Sequence, residues 1–428
     1  MFLFQAWTLA TGVLFLFLAW RTRRFTRNLL TLENLPTKFR LTLGQSQKQN
    51  ATTWPKVSLV IPACNEGETI SAAMESLLKI DYPNLEIILV NDRSTDATGQ
   101  IIDQLSLIDR RIKAVHVNYL PPGWLGKVNA LERGLSFTNS DWILLSDADV
   151  HFAPDALKNA VVYCLKDNID FLTAIPDVIT SSALLQVVIA QLFHQASLFF
   201  KPHKINDPKH RACYGQGAFM LMRRSTYLRS ERMEWLKMEV VDDTGLALMM
   251  RRAGARMAAV AGLNQVEIEW YPSLGAFLRG IEKNAFAFSQ YSLSLLVGWT
   301  ALIVGIFAGF TVAPILGHSL AAASFTMASL VVYLFAIRAQ LVRIMRVRPW
   351  TAFVFPLSFV VLPLLFLRAA LVTLGRGGVN WRGTFYGLRE LKANQRMKLA
   401  NLVFSKQPEV LEASTAEDSA VELDAEGY

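Results

Sequence analysis

The sequence is poor in the residues that most often announce a function. Three cysteines, Cys64, Cys164 and Cys213, are scattered over 428 residues. Their number and spacing exclude a disulfide framework and a Cys-x-x-Cys zinc site, and fit a reducing compartment. The dinucleotide fingerprint Gly-x-Gly-x-x-Gly is missing, because Gly215-Gln216-Gly217 lacks its third glycine. A phosphate loop is missing too, since Pro121 stands where Gly-x4-Gly-Lys would need glycine before Gly126-Lys127. Charged residues make up 18%, short of the roughly 25% of soluble domains. The formal charge is +8, yet no low-hydrophobicity basic arm accompanies it, so nucleic acid is not an expected partner. Internal repeats are absent.

What the chain has is apolar sequence, 52% of it hydrophobic. Residues 1–20 carry no ionisable side chain and run straight into Arg21, Arg23, Arg24 and Arg27. Twenty residues at about 1.5 Å each span a bilayer core of roughly 30 Å. A cleaved signal peptide would place its charges before the apolar run rather than after it, so a retained anchor is expected, with residues 21–54 as a basic juxtamembrane linker on the cytoplasmic side. Leu295–Leu316 and Leu320–Ile337 read as two further spans joined at Gly317-His318, with Arg338, Arg343, Arg346 and Arg348 following. A third run, Phe353–Leu374, holds Pro356, Pro363 and Arg368; full crossing and re-entry both remain open for it. The membrane region thus covers 291–374 in two or three spans, then a basic segment at 375–408. Residues 409–428 contain seven acids and no base, an acidic disordered tail. Ala183–Phe200 is apolar but interrupted by Gln186, Gln191, His194 and Gln195, as in a helix on the membrane surface or in the core.

Between residues 55 and 290 the pattern is that of an α/β domain. Val57–Ile61, Leu85–Val90, Ile112–Val117, Trp142–Ser146 and Phe171–Ile175 read as buried strands, alternating with helices near 67–79, 97–107, 127–138 and 154–166. Such alternation implies a mostly parallel sheet whose ligands bind at the carboxyl ends of the strands. Three polar clusters fall there: Asn65-Glu66, Asn91-Asp92 to Asp96, and Asp147-Ala148-Asp149. The second could be no more than a turn and helix cap. Two carboxylates two residues apart after a buried strand repel each other unless a cation balances them; oxygen ligands of this kind suit Mg or Mn. Lys127 supplies a positive charge at a helix start. His151 stands close enough in sequence to join a metal shell. Asp242-Asp243 open another helix, where they cap its dipole or provide a general base.

These motifs, in the order VSLVIPACNE, Asp92 cluster, PPGWLGK, Asp-x-Asp and Asp-Asp helix, resemble family-2 glycosyltransferases of the GT-A (nucleotide-diphospho-sugar transferase) fold. The segments PPGWLGK and WRGTFY (Trp381–Tyr386) are similar to hopene-associated and carotenoid glycosyltransferases and, more distantly, to ceramide glucosyltransferase. The resemblance implies that Pro62, Ala63, Glu66 and Asp92 line the nucleotide base, that Lys127 and Asp147 meet the donor, and that Asp149 ligates a Mg or Mn ion. It implies Asp243 as general base, with Asp242 beside it. A processive Gln-x-x-Arg-Trp motif is missing; Arg279 and Lys283 occupy that region as diphosphate contacts. The expectation is a multi-pass inner-membrane enzyme with a cytoplasmic catalytic domain, moving one sugar from a UDP-sugar to a hopanoid, carotenoid or ceramide-like lipid. Transfer to a polyprenyl phosphate is the nearest alternative, and a non-catalytic membrane scaffold or lipid carrier the alternative of another class.

Overall fold

The computed structural model describes residues 1–35, 54–180, 182–207, 210 and 212–398. Residues 36–53 of the linker, 399–408 of the basic segment and the acidic tail lie outside the described residues.

Strands β1 (Leu30–Thr31), β2 (Val57–Ala63), β3 (Leu85–Asp92), β4 (Ile112–Val117), β5 (Trp142–Leu145), β7 (Phe171–Ile175), β9 (Met220–Arg223) and β10 (Met257–Ala261) form one sheet. Its order is β1-β10-β7-β9-β5-β2-β3-β4. All pairings are parallel except those of β9, which runs against both β5 and β7. A second sheet joins β6 (Val150–Phe152), β11 (Val266–Ile268) and β8 (Asp177–Val178). The α/β GT-A fold with a mostly parallel sheet is therefore present, and the five strands read from sequence all occur. Near-continuous apolar runs such as Leu85–Val90 are buried on both faces, as parallel strands covered by helices must be.

Register sets the position of the polar clusters. Ala63 stands opposite Asn91, and Val60 opposite Leu145, so the ends of β2, β3 and β5 open onto one edge. Because β9 is antiparallel, with Met220 opposite Leu145, the segment before it approaches that same edge.

The helices that frame the site and the apolar layer are α1 (Phe2–Asn28), α2 (Gly126–Leu135), α3 (Ala183–Phe200), α4 (Asp242–Arg252), α5 (Glu282–Phe288), α6 (Leu293–Thr311), α7 (Leu320–Ile344) and α8 (Ser358–Arg376). Helix α2 lies on β2 and β3 so closely that a Cβ at Gly134 would come within 2.4 Å of Val60. Among the described residues, five helical stretches are long and apolar enough to cross a membrane: Phe2–Asn28, Ala183–Lys204, Leu293–Thr311, Leu320–Ile344 and Pro349–Arg376. Helices α1 and α7 pack along their length. Thr326 Oγ1 donates to the Thr8 carbonyl at 2.7 Å, and Phe15 stacks on Tyr333. Small residues permit this approach, as between membrane helices generally.

Three expectations change. The apolar helix α1 continues through the arginines to Asn28, and β1 after it pairs with β10. The chain from residue 21 onward therefore begins as helix and edge strand rather than as linker. Helix α7 likewise continues to Ile344, so Arg338 and Arg343 sit on it rather than in a loop. The third apolar run is broken: Pro349–Leu357 is a 3-10 helix, and α8 follows it. Its entrance is fixed to the α/β domain, where Arg346 pairs with Asp177 at 2.9 Å and with Glu267 at 2.5 Å. Its exit returns there, since Arg368 and Arg376 both pair with Glu282 of α5, at 2.9 and 3.0 Å. Between them, Phe355 and Phe359 reach Tyr333 and Phe15 at mid-height in the helical layer.

Candidate active site

A cavity of about 200 Å³ lies at the carboxyl edge of the sheet. Its floor comes from Pro62, Ala63, Cys64 and Glu66 after β2, Asp92 and Arg93 after β3, and Asp147, Ala148 and Asp149 after β5. Gly126 and Lys127 enter from the start of α2, and Lys283 from α5. Ile268, Trp270 and Tyr271 supply one wall. The other is a hairpin of β12 (Gly378–Trp381) and β13 (Thr384–Gly387), which presents Trp381, Arg382 and Tyr386.

Lys127 is the electrostatic hub. Its Nζ lies 2.8 Å from Asp147 Oδ1 and 3.2 Å from Asp242 Oδ2. Burial works against its charge, but Asp147 and Asp242 outweigh burial and hold the ammonium well above the ordinary lysine range. Burial works against the Asp147 anion too, and Lys127 reverses that, so this carboxyl ends below its usual range. Among the described residues Asp149 has no such partner. Burial first, then the charges of Asp147 and Glu66, push its carboxyl up to about 7. A carboxylate in that setting needs a proton or a cation, and oxygen donors of this kind fit Mg or Mn. Among the described residues no group of three or more His, Cys, Asp or Glu could hold an ion.

At α4, Asp242 is buried while Asp243 is half-buried, its Oδ1 accepting the Thr244 amide at 2.6 Å. Burial and the neighbouring Asp242 push Asp243 up to about 6, close to the range in which a general base works at neutral pH. The backbone before β9 is pressed against it: a Cβ at Gly215 would lie 2.0 Å from the Asp243 carbonyl oxygen. Two residues on, a Cβ at Gly217 would meet Asp147 at 2.7 Å and Lys127 at 3.3 Å. Glycine at both positions lets this strand entry slide between the two carboxylate pairs.

The structure thus gathers Pro62, Ala63, Glu66, Asp92, Lys127, Asp147, Asp149 and Lys283 around one cavity, with Asp242 joined through Lys127 and Asp243 next to it on α4. Arg279 is not brought in. It is exposed and absent from the cavity wall, because the turn at Gly280–Ile281 separates its helix from α5. His151 faces β11 opposite Glu267 and does not line the cavity either.

Sequence reasoning missed the wall residues. Arg93 forks onto Asp92, with Nε 2.8 Å from Oδ1 and Nη2 3.0 Å from Oδ2. The Gly126 amide, a free donor at the start of α2, donates to the Tyr386 hydroxyl at 3.0 Å. Lys283 Nζ sits 3.7 Å over the Trp381 ring. Burial and the Lys127 charge bring Lys283 down to about 8. Arg382 pairs with Glu66 from a turn in which Arg382 has φ +48° and Gly383 φ +79°. The WRGTFY motif carried a signal, but nothing in its sequence said that it folds back over residues 66–127.

Against known proteins, the model for glycosyl transferase family 2 matches residues 58–229, less than half of the chain. The chain is 35% identical over 112 residues to a beta-monoglucosyldiacylglycerol synthase of Synechocystis, covering 26% of this chain and 23% of that protein. It is 32% identical over 118 residues to a poly-beta-1,6-N-acetyl-D-glucosamine synthase of Staphylococcus epidermidis, covering 27% and 26%. The matches thus span about a quarter of these relatives' length. Among solved structures, a mannosyltransferase of Pyrobaculum calidifontis in complex with GDP-Man and Mn2+ aligns with a TM-score of 0.47 and 16% identity, over 83% of this chain and 98% of that one.

Proposed function

We propose that this protein is a membrane-bound inverting glycosyltransferase that moves a single sugar from a nucleotide-sugar, a UDP-sugar in the first instance, to a lipid acceptor. The observation that carries the reading is the cavity in which Lys127, Asp147, Asp149 and Lys283 converge beside an unusually apolar helical layer. The donor base rests near Pro62, Ala63, Glu66 and Asp92. Lys127, Lys283 and Arg382 face the diphosphate, and Asp147 the ribose side. A Mg or Mn ion held at Asp149, when bound, neutralises charge on the departing nucleotide. Asp243 accepts the proton of the acceptor hydroxyl as that oxygen attacks the sugar carbon. The Thr244 amide donates to its carboxylate, and the Gly215 backbone packs against the Asp243 carbonyl, which fixes the start of α4.

The lipid acceptor is supported by the glycolipid synthase among the relatives and by the apolar layer that adjoins the domain. In this reading the catalytic domain lies on the cytoplasmic face, which the basic ends of α1 and α7 support. In this reading α1, α6 and α7 cross the bilayer. The run from Pro349 to Arg376 dips in and returns, because both its ends are fixed to the same domain, and α3 lies across the bundle at the interface.

The test is incubation of purified protein with a panel of UDP- and GDP-sugars, total membrane lipid and Mn2+, followed by mass analysis. A lipid one hexose heavier supports the reading. Polymeric sugar would replace single transfer with processive synthesis, and an acid-labile, phosphorus-bearing product would move the acceptor to a polyprenyl phosphate.

A further inference from the structure

A second charged site lies outside the donor cavity. Two basic stretches far apart in sequence meet where α1 leaves the apolar layer and α3 ends: residues 21–27, with Arg21, Arg23, Arg24 and Arg27, and residues 201–204, with Lys201, His203 and Lys204. The Phe25 ring packs edge-on against His203 at 5.3 Å, and Arg21 donates to the Leu198 carbonyl of α3. The charges of Arg21, Arg24 and Lys201 all bear on Lys204, against which Asp207 is the opposing carboxylate. Lys204 Nζ has a ring nitrogen of His210 at 3.0 Å as its hydrogen-bond partner. Among the described residues the buried His203 Nδ1 has no hydrogen-bond partner, and Lys201, which turns the chain, does so at φ +51°, a costly conformation for a residue with a side chain. None of these residues lines the donor cavity.

Among the described residues Asp207 is the carboxylate that opposes these cations, and like charges so gathered repel one another unless an anion joins them. The place is the end of an apolar helix, where headgroup phosphates lie. We propose that Arg21, Arg24, Lys201 and Lys204 form a site for the phosphate of an anionic phospholipid, which pins the α1–α3 junction to the headgroup layer. The proposal rests on the membrane reading of the apolar helices, though not on the reaction assigned to the cavity.

The experiment uses the full-length protein purified in neutral detergent. Thermal unfolding is followed with short-chain phosphatidic acid, short-chain phosphatidylglycerol, short-chain phosphatidylcholine or inorganic phosphate, for the wild type, Arg24→Gln and the double variant Lys201→Gln/Lys204→Gln. The expected result is a rise of several degrees in the wild-type midpoint with either anionic lipid. Phosphatidylcholine leaves it unmoved, and both variants lose most of the rise. Arg24 is exposed, so its variant keeps the apo midpoint and guards against misfolding of the double variant. Equal stabilisation by inorganic phosphate would replace the lipid with a free-anion site and overturn the headgroup assignment. So would the absence of any rise, or a rise kept in both variants. Extraction of wild-type membranes with alkaline carbonate tests the membrane reading separately; release of the protein would overturn that reading and this one together.

Discussion

The sheet edge and the apolar layer solve opposite problems. At the edge, charges are held apart from bulk water: Lys127 is bracketed by Asp147 and Asp242, and Asp149 is left without a cation. In the layer, polar groups are few and are hydrogen-bonded mainly to one another across helices. His194 meets Tyr333 and Gln340, and Thr326 meets Thr8. The edge keeps a buried carboxyl at Asp149 without a facing cation, while the layer, where no solvent can serve, pairs most of its few polar groups internally and leaves Thr22, Gln191 and Thr300 with an unpaired side-chain oxygen among the described residues. The two meet at two junctions, Arg346 with Asp177 and Glu267, and Glu282 with Arg368 and Arg376.

Breaking the edge should cost activity before stability. Asp243→Asn is expected to reduce turnover by about 10²–10⁴-fold, the usual contribution of a positioned base, while nucleotide affinity stays near wild type. Steady-state kinetics beside calorimetric UDP titration separate the two; an unchanged turnover removes Asp243 from the base role. Breaking a junction should do the reverse. Arg346→Ala removes the cation facing Asp177, whose side chain is fully buried, and leaves only the backbone amide of residue 346 donating to its Oδ1. Removing one member of a buried pair costs about 3–5 kcal/mol, and since half of Arg346 is exposed, about 2 kcal/mol is expected here, read as a lower unfolding midpoint in detergent.

The pH response sharpens the same contrast. Asp149 and Asp243, at about 7 and 6, are raised carboxyls, so the folded state holds protons that the unfolded chain has released. Stability of the metal-free protein should therefore fall as pH rises from about 4 towards 7. If the proposed ion takes the place of the Asp149 proton, Mn2+ should raise the unfolding midpoint more at pH 8 than at pH 6. Equal shifts at both would detach the ion from Asp149. Activity should decline below about pH 6 as Asp243 takes up its proton.

Smaller effects map the boundary of the site. Arg382→Ala is expected to weaken donor binding by about tenfold, the loss of one charge-assisted contact, visible in KM for the donor with turnover less affected. Arg279→Ala should leave both constants near wild type, since its exposed side chain stands off the cavity. A large effect there would restore it to the diphosphate.

The legibility of the two regions differs for physical reasons. The strands Val57–Ala63, Leu85–Asp92 and Trp142–Leu145 could be read because burial on both faces forces continuous apolar runs, and the polar residues that end each run then fall on one edge by register. Strand β10 went unread because Met257–Ala261 is mostly alanine, with weak strand character. The antiparallel direction of β9 has no local sign in the sequence, because it is set by where the chain re-enters the sheet between β5 and β7. In the layer, apolar length was visible and path was not: Pro349–Arg376 has span-like composition whether it crosses or turns back.

By itself, the sequence determined which residues carry charge, which segments are apolar, and that Asp147, Asp149 and Lys127 follow buried elements, since local pattern and strand period dictate these. Only the tertiary structure decided which charges share a cavity. Arg382 and Glu66 are 316 positions apart, and Gly126 and Tyr386 are 260 apart. Such neighbours follow from how the chain returns from the apolar layer, and that return depends on packing and ion pairs between distant segments, which no local pattern encodes.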